Sequence, residues 1–280
     1  MHYLEIQPCS ELAPFIECFW TLEDAASAAP FQPERLLPDG CVELILNFGE
    51  RFREHKDDGR QELQPLNLVV GQMTQPTLIA PTGTVQLLGI RFHPGGTFPF
   101  FHIPMHELTN RVLDLGALSS KFERELVARA GRVSSSPLKV SAIEDLLVRR
   151  VGEFKGDYLL VSLASKIVRD GGQVSVERLA GSAGVSCRQL ERRFLREIGI
   201  GPKLLSRILR FQQVFRAVGR NDAGWAGVAA DCGYYDQAHL IRDFNQFAGQ
   251  TPAGLFDCPS ELTESFTRKN RVSDFSNNAA

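Results

Sequence analysis

Two short stretches of this sequence set out side chains whose chemistry suits the edges of nucleic-acid bases. Arg188, Glu191 and Arg192 share one side of a helical projection, and Gln237, Ala238 and Arg242 share one side of another. Arginine can donate twice to guanine O6 and N7, and glutamine can pair in the same bidentate way with adenine. Glutamate accepts from cytosine N4, and the alanine methyl suits the thymine methyl. Each good bidentate contact discriminates by about 1–3 kcal/mol. Arg188 is the foremost candidate for base contact. Arg192 and Arg242 suit a base edge, a phosphate or a neighbouring carboxylate about equally. His239 reads as a packing or orienting residue.

The elements that must position these side chains are written twice. Ser186-x3-Leu190-x-Arg192-x-Phe194-x4-Gly199-x2-Pro202 recurs as Asp236-x3-Leu240-x-Arg242-x-Phe244-x4-Gly249-x2-Pro252, 50 residues later at every position. Upstream of each copy a small residue precedes a glycine by four, Ala180 and Gly184, then Ala229 and Gly233, here 49 residues apart. Ser186 and Asp236 carry oxygens that accept from the open amides of a helix first turn. Leu190 with Phe194, and Leu240 with Phe244, stack four apart on one face and are expected to be core. Helix, glycine turn and capped helix, twice over, is a pair of helix-turn-helix units. Between them Leu205, Ile208, Phe211, Phe215 and Val218 recur at helical spacing behind Pro202, which predicts a strut helix. A rigid strut would set the two reading helices in successive major grooves about 34 Å apart, so that one chain reads two half-sites roughly 10 bp apart.

Charge is distributed to match. The whole chain carries a net −2, yet Ser186–Arg220 holds nine Lys or Arg against two Asp or Glu. A concentrated basic face governs attraction to phosphate more than the total does. Double-stranded DNA is the expected partner.

This double unit resembles the DNA-binding domain of the AraC/XylS transcriptional regulators over about 100 residues, near Tyr158 to Phe256. The resemblance implies seven helices and two helix-turn-helix motifs. It also implies a transcription factor, for which RNA polymerase and a second copy of the chain are further conceivable partners. The second copy departs from the family pattern at Leu240 and at Asp243, and Asp243 is expected to repel nearby phosphate. The first half resembles a sensor domain found ahead of such units, through Pro14-Phe-Ile-Glu-Cys-Phe-Trp20, Arg35-Leu-Leu-Pro-Asp-Gly-Cys-Val-Glu43 and Gly89-Ile-Arg-Phe-His-Pro-Gly-Gly96.

Read on its own residues, that first half alternates as strands do. Cys41–Phe48, Leu66–Met73, Pro76–Ala80 and Val85–Phe92 are short apolar runs between proline and glycine signals. Thr77–Ala80 and Val85–Phe92 flank Pro81-Thr-Gly83-Thr and suggest a hairpin. The charged stretch Arg51–Gln64 reads as an exposed loop. Helical spacing then appears at Lys121–Ala130, Val140–Glu153 and from Asp157 to Asp170. The expected fold class is α+β, an N-terminal antiparallel β barrel or sandwich with helices, then an all-α double helix-turn-helix domain. The expected domains are an effector-binding or dimerisation unit at 1–155, a DNA-binding unit at 156–258 and a disordered polar tail at 259–280.

Polar residues near strand ends, Glu43, Arg91 and His93, are the candidates for holding a small-molecule effector; the alternative is an effector-free regulator whose first domain binds a partner protein. No phosphate loop, nucleophile elbow or HExxH is present, so an enzyme is not expected. Six scattered cysteines form no CxxC, and Pro104 separates His102 from His106, so neither a metal nor a cofactor is expected. Phe92, Phe98, Phe100 and Phe101 read as core. No apolar run approaches the roughly 18–20 residues of a membrane span, and no leader pattern opens the chain. A cytoplasmic protein with reduced thiols is the expectation.

Overall fold

The computed structural model describes residues 2–24, 33–56, 58–133, 135–218 and 224–256. The tail expected at 259–280 lies outside them. Among the described residues the alternating first third forms ten strands: β1 (His2–Ile6), β2 (Ile16–Asp24), β3 (Glu34–Leu36), β4 (Val42–Asn47), β5 (Phe52–His55), β6 (Gln61–Leu63), β7 (Asn67–Val70), β8 (Thr77–Pro81), β9 (Val85–Phe92) and β10 (Val112–Asp114). They make a six-stranded sheet in the order β1-β2-β9-β4-β7-β10 and a four-stranded sheet in the order β3-β8-β5-β6. Every pairing is antiparallel. The sheets do not close into a barrel, so the sandwich alternative holds.

Strand alternation assigns the larger sheet two different faces. On β4, Val42, Leu44 and Leu46 point to one side, where they join Phe122, Leu126, Ile143 and Leu147 in a single core. Those last four come from α2 (Leu115–Ala130) and α3 (Ser136–Gly152), which follow a short helix α1 (Phe98–Phe101). Phe92 and Phe100 are completely buried in the same core. The opposite face looks toward the smaller sheet. One end of that space is filled by Cys18, Trp20, Phe52, Val85 and Leu87. Gly89 is required there, because a Cβ would run into the Trp20 indole. The other end is hollow.

Two local expectations are corrected by the pairing. The runs around Pro81–Thr84 do not form a hairpin with each other: β8 pairs with β3 and β5, whereas β9 pairs with β2 and β4. Each strand already has a neighbour on both sides, so the turn carries the chain from one sheet to the other. The charged stretch 51–64 is not a loop but the β5–β6 ladder. Glu54 stands opposite Glu62, and Lys56 reaches both carboxylates, at 2.5 and 3.7 Å. Cross-strand charge compensation of this kind lets a polar hairpin form at a sheet edge.

Among the described residues from Leu159 onward seven helices follow: α4 (Leu159–Arg169), α5 (Val176–Ser182), α6 (Cys187–Glu197), α7 (Pro202–Ala217), α8 (Gly224–Asp231), α9 (Gln237–Ala248) and α10 (Pro252–Phe256). Their apolar faces converge on a second core in which Leu190, Phe194, Leu205, Ile208, Phe211, Leu240 and Phe244 are all buried. On α7 the strut stripe is filled in as expected. Phe211 meets the rings of Phe215, Phe244 and Phe247 at centroid distances of 4.8–5.4 Å, so α7 grips the second unit through aromatic packing.

The two parts touch through defined contacts. Thr109 Oγ1 donates to the Gly199 carbonyl at 2.8 Å, and Arg196 lies over the Phe98 ring. Arg35 Nη1 donates to the Ala248 carbonyl at 2.6 Å, and Gln212 Nε2 to the Pro38 carbonyl at 2.5 Å. Phe15 and Phe154 both pack on Tyr158.

Candidate nucleic-acid interface

The repeat seen in the sequence is a repeat of hydrogen bonds. In the first unit α5 ends as the Val185 amide donates to the Ala180 carbonyl, with Gly184 at φ +64°; in the second the Tyr234 amide donates to the Ala229 carbonyl, with Gly233 at φ +73°. Glycine takes this left-handed conformation without the Cβ penalty other residues carry. The second helix of each unit then starts on its cap. Ser186 Oγ accepts from the Gln189 amide at 3.2 Å, and the Gln189 side chain accepts from the Ser186 amide, a reciprocal capping box. Asp236 Oδ1 accepts from the His239 amide at 2.6 Å. Gly199 and Gly249 close the two helices in the left-handed region, and Pro202 and Pro252 each open the next helix.

Burial of Leu190 and Phe194 on α6, and of Leu240 and Phe244 on α9, turns the opposite faces outward. Arg188, Glu191 and Arg192 are exposed on α6, and Gln237, Ala238 and Arg242 on α9. Among the described residues neither Arg188, Arg192 nor Arg242 is held in an ion pair. Other arginines of the basic segment are engaged. Arg193 binds Asp157 at 2.8 Å, and Arg207 binds Asp243 at 2.7 Å. Glu191 folds back so that its carboxylate lies against Gly201, at the start of α7. His239 packs edge-on against the Tyr234 ring, in keeping with an orienting residue.

Asp243 is corrected. It does not face phosphate: it is 1% exposed and pairs with Arg207, which also donates to the Gln246 side chain. The ion pair ties α9 to α7. Its signal in the sequence was weak, because the partner lies 36 residues away on another helix.

The hollow between the sheets is a cavity of about 380 Å³. Ile45, Val70, Ile79 and Leu113 supply apolar wall, and Gln212 and Phe215 of α7 line it from the helical part. Glu43 and Arg91 both line it and are bonded to each other, Arg91 Nε donating to Glu43 Oε1 at 2.8 Å. Asp39 adds a second carboxylate to the same guanidinium at 3.1 Å. Burial works against the charge on Arg91, but Glu43 and then Asp39 outweigh it and hold its pKa well above the ordinary value. For Asp39 burial wins over Arg91 and raises the carboxyl. Burial likewise pushes the Cys41 thiol well up, with Asp39 and Glu17 adding to it. His93 does not line the cavity; its amide donates to the Phe15 carbonyl, and burial lowers its pKa. Arg35, Leu36, Leu37, Asp39 and Cys41, a run that sequence reasoning did not single out for this role, form one wall.

Comparison with known proteins follows the two halves. Residues 4–114 match a domain of unknown function, DUF6597, and residues 179–257 match a helix-turn-helix domain. No curated protein matches the chain in sequence. Solved structures with a similar course include ToxT from Vibrio cholerae, at 9% identity over 84% of this chain and 96% of that one, with a TM-score of 0.43. An unsaturated fatty acid-bound ToxT from the same organism aligns at 11% identity over 87% and 96%, TM-score 0.42. The AraC-like transcriptional activator CuxR aligns at 13% over 78% and 95%, TM-score 0.29. Among the described residues no helix is long and apolar enough to cross a membrane. The chain thus carries a helix-turn-helix domain behind a domain of unknown function.

Proposed function

We propose that this protein is a cytoplasmic, sequence-specific transcription factor that reads two adjacent major-groove half-sites and is gated by a small molecule. The reader is the unit at 156–258, and the effector domain is the unit at 1–155. The observation that carries the DNA reading is the duplicated capped helix with unpaired arginines on both outward faces, Arg188 and Arg192 on α6 and Arg242 on α9. Joined through α7, the two helices would enter successive grooves about one helical turn apart.

The gating rests on the wall of the cavity. Residues 35–41 face the hollow on one side and the helical core on the other: Leu37 packs against that core, Arg35 holds the Ala248 carbonyl, and the Pro38 carbonyl accepts from Gln212. A ligand that displaces this wall would shift α7 and the end of α9, biasing the population of DNA-competent forms by its differential affinity for them. A cavity of this size between the sheets favours an effector over the alternative of a partner-protein domain.

Selection of bound sequences from random duplex DNA, at one fixed salt concentration because phosphate contacts are steeply salt-dependent, tests the reading. Two enriched motifs spaced by about one helical turn are expected. In the same selection Arg188→Ala is expected to relax one base position by about 1–3 kcal/mol, leaving the other motif intact. No enrichment with the full chain or with residues 156–258 would sink specific recognition.

A further inference from the structure

We infer that the cavity between the sheets takes a ligand with a protonated amine head and an aliphatic body, the head seated against Glu43 and Asp39. The inference rests on the effector reading above and specifies the chemistry of that site.

The argument begins with charge at the deep polar end. Arg91 is 8% exposed, with Nε donating to Glu43 and Nη2 paired with Asp39. A third carboxylate, Glu17, stands behind them and accepts from the Cys41 thiol at 3.5 Å. Two carboxylates therefore hold one guanidinium, and a third acts on it from further off. Asp39 Oδ1 is further occupied by the Cys41 amide at 2.9 Å, whereas the second oxygen of Glu43 accepts nothing from the described residues. Around Arg91, carboxylates outnumber the one guanidinium. The raised Asp39 carboxyl is what such a shortage produces, burial outweighing the single Arg91.

Among the described residues no other cation of the lining is paired with Glu43, Asp39 or Glu17. Lys56 is bound by Glu54 and Glu62, the Arg35 guanidinium holds the Ala248 carbonyl, and that of Arg111 holds the Glu107 carbonyl. An anionic head at this end would sit among carboxylates served by one guanidinium that Glu43 and Asp39 already share. A cationic head meets the opposite situation, since it supplies donors to an oxygen that lacks one. The rest of the lining, Ile45, Val70, Ile79, Leu113 and Phe215, matches an apolar chain. A charged hydrogen bond in a water-poor pocket is stronger than one in the open, which makes head-group sign the main source of selectivity.

The test uses the full chain and three probes of one length, n-octylamine, octanoate and 1-octanol, with affinities measured by calorimetry near pH 7.5. Octylamine is expected to bind about tenfold or more tightly than either of the others, the margin of one charge-assisted hydrogen bond. Glu43→Gln is expected to remove most of that preference, and Leu113→Trp, which fills the cavity, to abolish binding of all three. The wild-type series decides the matter even where a variant fails to fold. Octanoate or octanol binding as tightly as the amine overturns the amine class and leaves the effector reading standing. Tight amine binding with no change in DNA affinity upholds the class and sinks the gating. Binding by none of the three, or amine binding that Leu113→Trp leaves intact, overturns the inference.

Discussion

Arg207 and Asp243 show how one charged pair can be structural inside a helix-turn-helix unit. Asp243 is almost fully buried, so removing its partner leaves an uncompensated charge in a low-dielectric surrounding. Arg207→Met is expected to destabilise the protein by about 3–5 kcal/mol, toward the lower end because Arg207 itself is partly exposed, as read from denaturant midpoints. His93 makes a pH-dependent contribution. Burial lowers its pKa below the ordinary 6.5, with Glu17 opposing, so the folded form favours the neutral ring. As pH falls below about 6.5 the unfolded chain binds the proton first, and the stability present above that value is lost as pH drops toward the folded-state pKa. Melting curves over this range are expected to show the loss in the wild type, and a flatter profile in His93→Gln.

At the scale of elements, the second helix of each helix-turn-helix unit is a lever whose buried residues fix where its outward residues point. Leu190 and Phe194 anchor α6, and both are essentially inaccessible. Phe194→Ala is expected to cost about 3–5 kcal/mol, since the cavity left in a close-packed core adds to the lost transfer energy. A change in denaturant midpoint well below this would mean that the core collapses around the truncated side chain. The elements of this half were legible in the sequence because their signals are local. Ser186 with Gln189, Gly184, and the four-residue spacing of Leu190 and Phe194 all act within a single turn or two of helix. Of the strands, β4, β7, β8 and β9 were legible as strands but not as partners, while β5 and β6 read as a loop. Alternation says which residues share a face, yet it does not say that β8 leaves β9 for β3 and β5.

For the whole molecule, the contact between the halves decides whether ligand and DNA can communicate. Arg35 and Gln212 form two hydrogen bonds across it, one to the end of α9 and one from α7. The double variant Arg35→Ala with Gln212→Ala is expected to keep both cores and its DNA motif while weakening any effect of a cavity ligand on DNA affinity. Titrations of labelled duplex with and without ligand would read this, an unchanged ligand effect placing the coupling elsewhere. None of these contacts could be seen in the sequence: Arg35 and Ala248 are 213 positions apart, and Gln212 and Pro38 are 174 apart.

The sequence by itself determined the tandem helix-turn-helix unit: two capped helices, their buried anchors, the strut between them and the outward arginines. Caps, turns and helical periodicity are short-range, so each copy carries its own instructions and the repeat doubles them. The sequence also marked Glu43, Arg91 and His93 as polar residues near strand ends. Only the tertiary structure decided that they meet each other and Asp39 on a cavity wall, that His93 stands outside it, and that Asp243 is core. Those outcomes depend on strand order, on the spacing of two sheets and on helix packing, all of them set by burial of faces distant in the chain. Burial is non-directional, and only the folded arrangement assigns its partners.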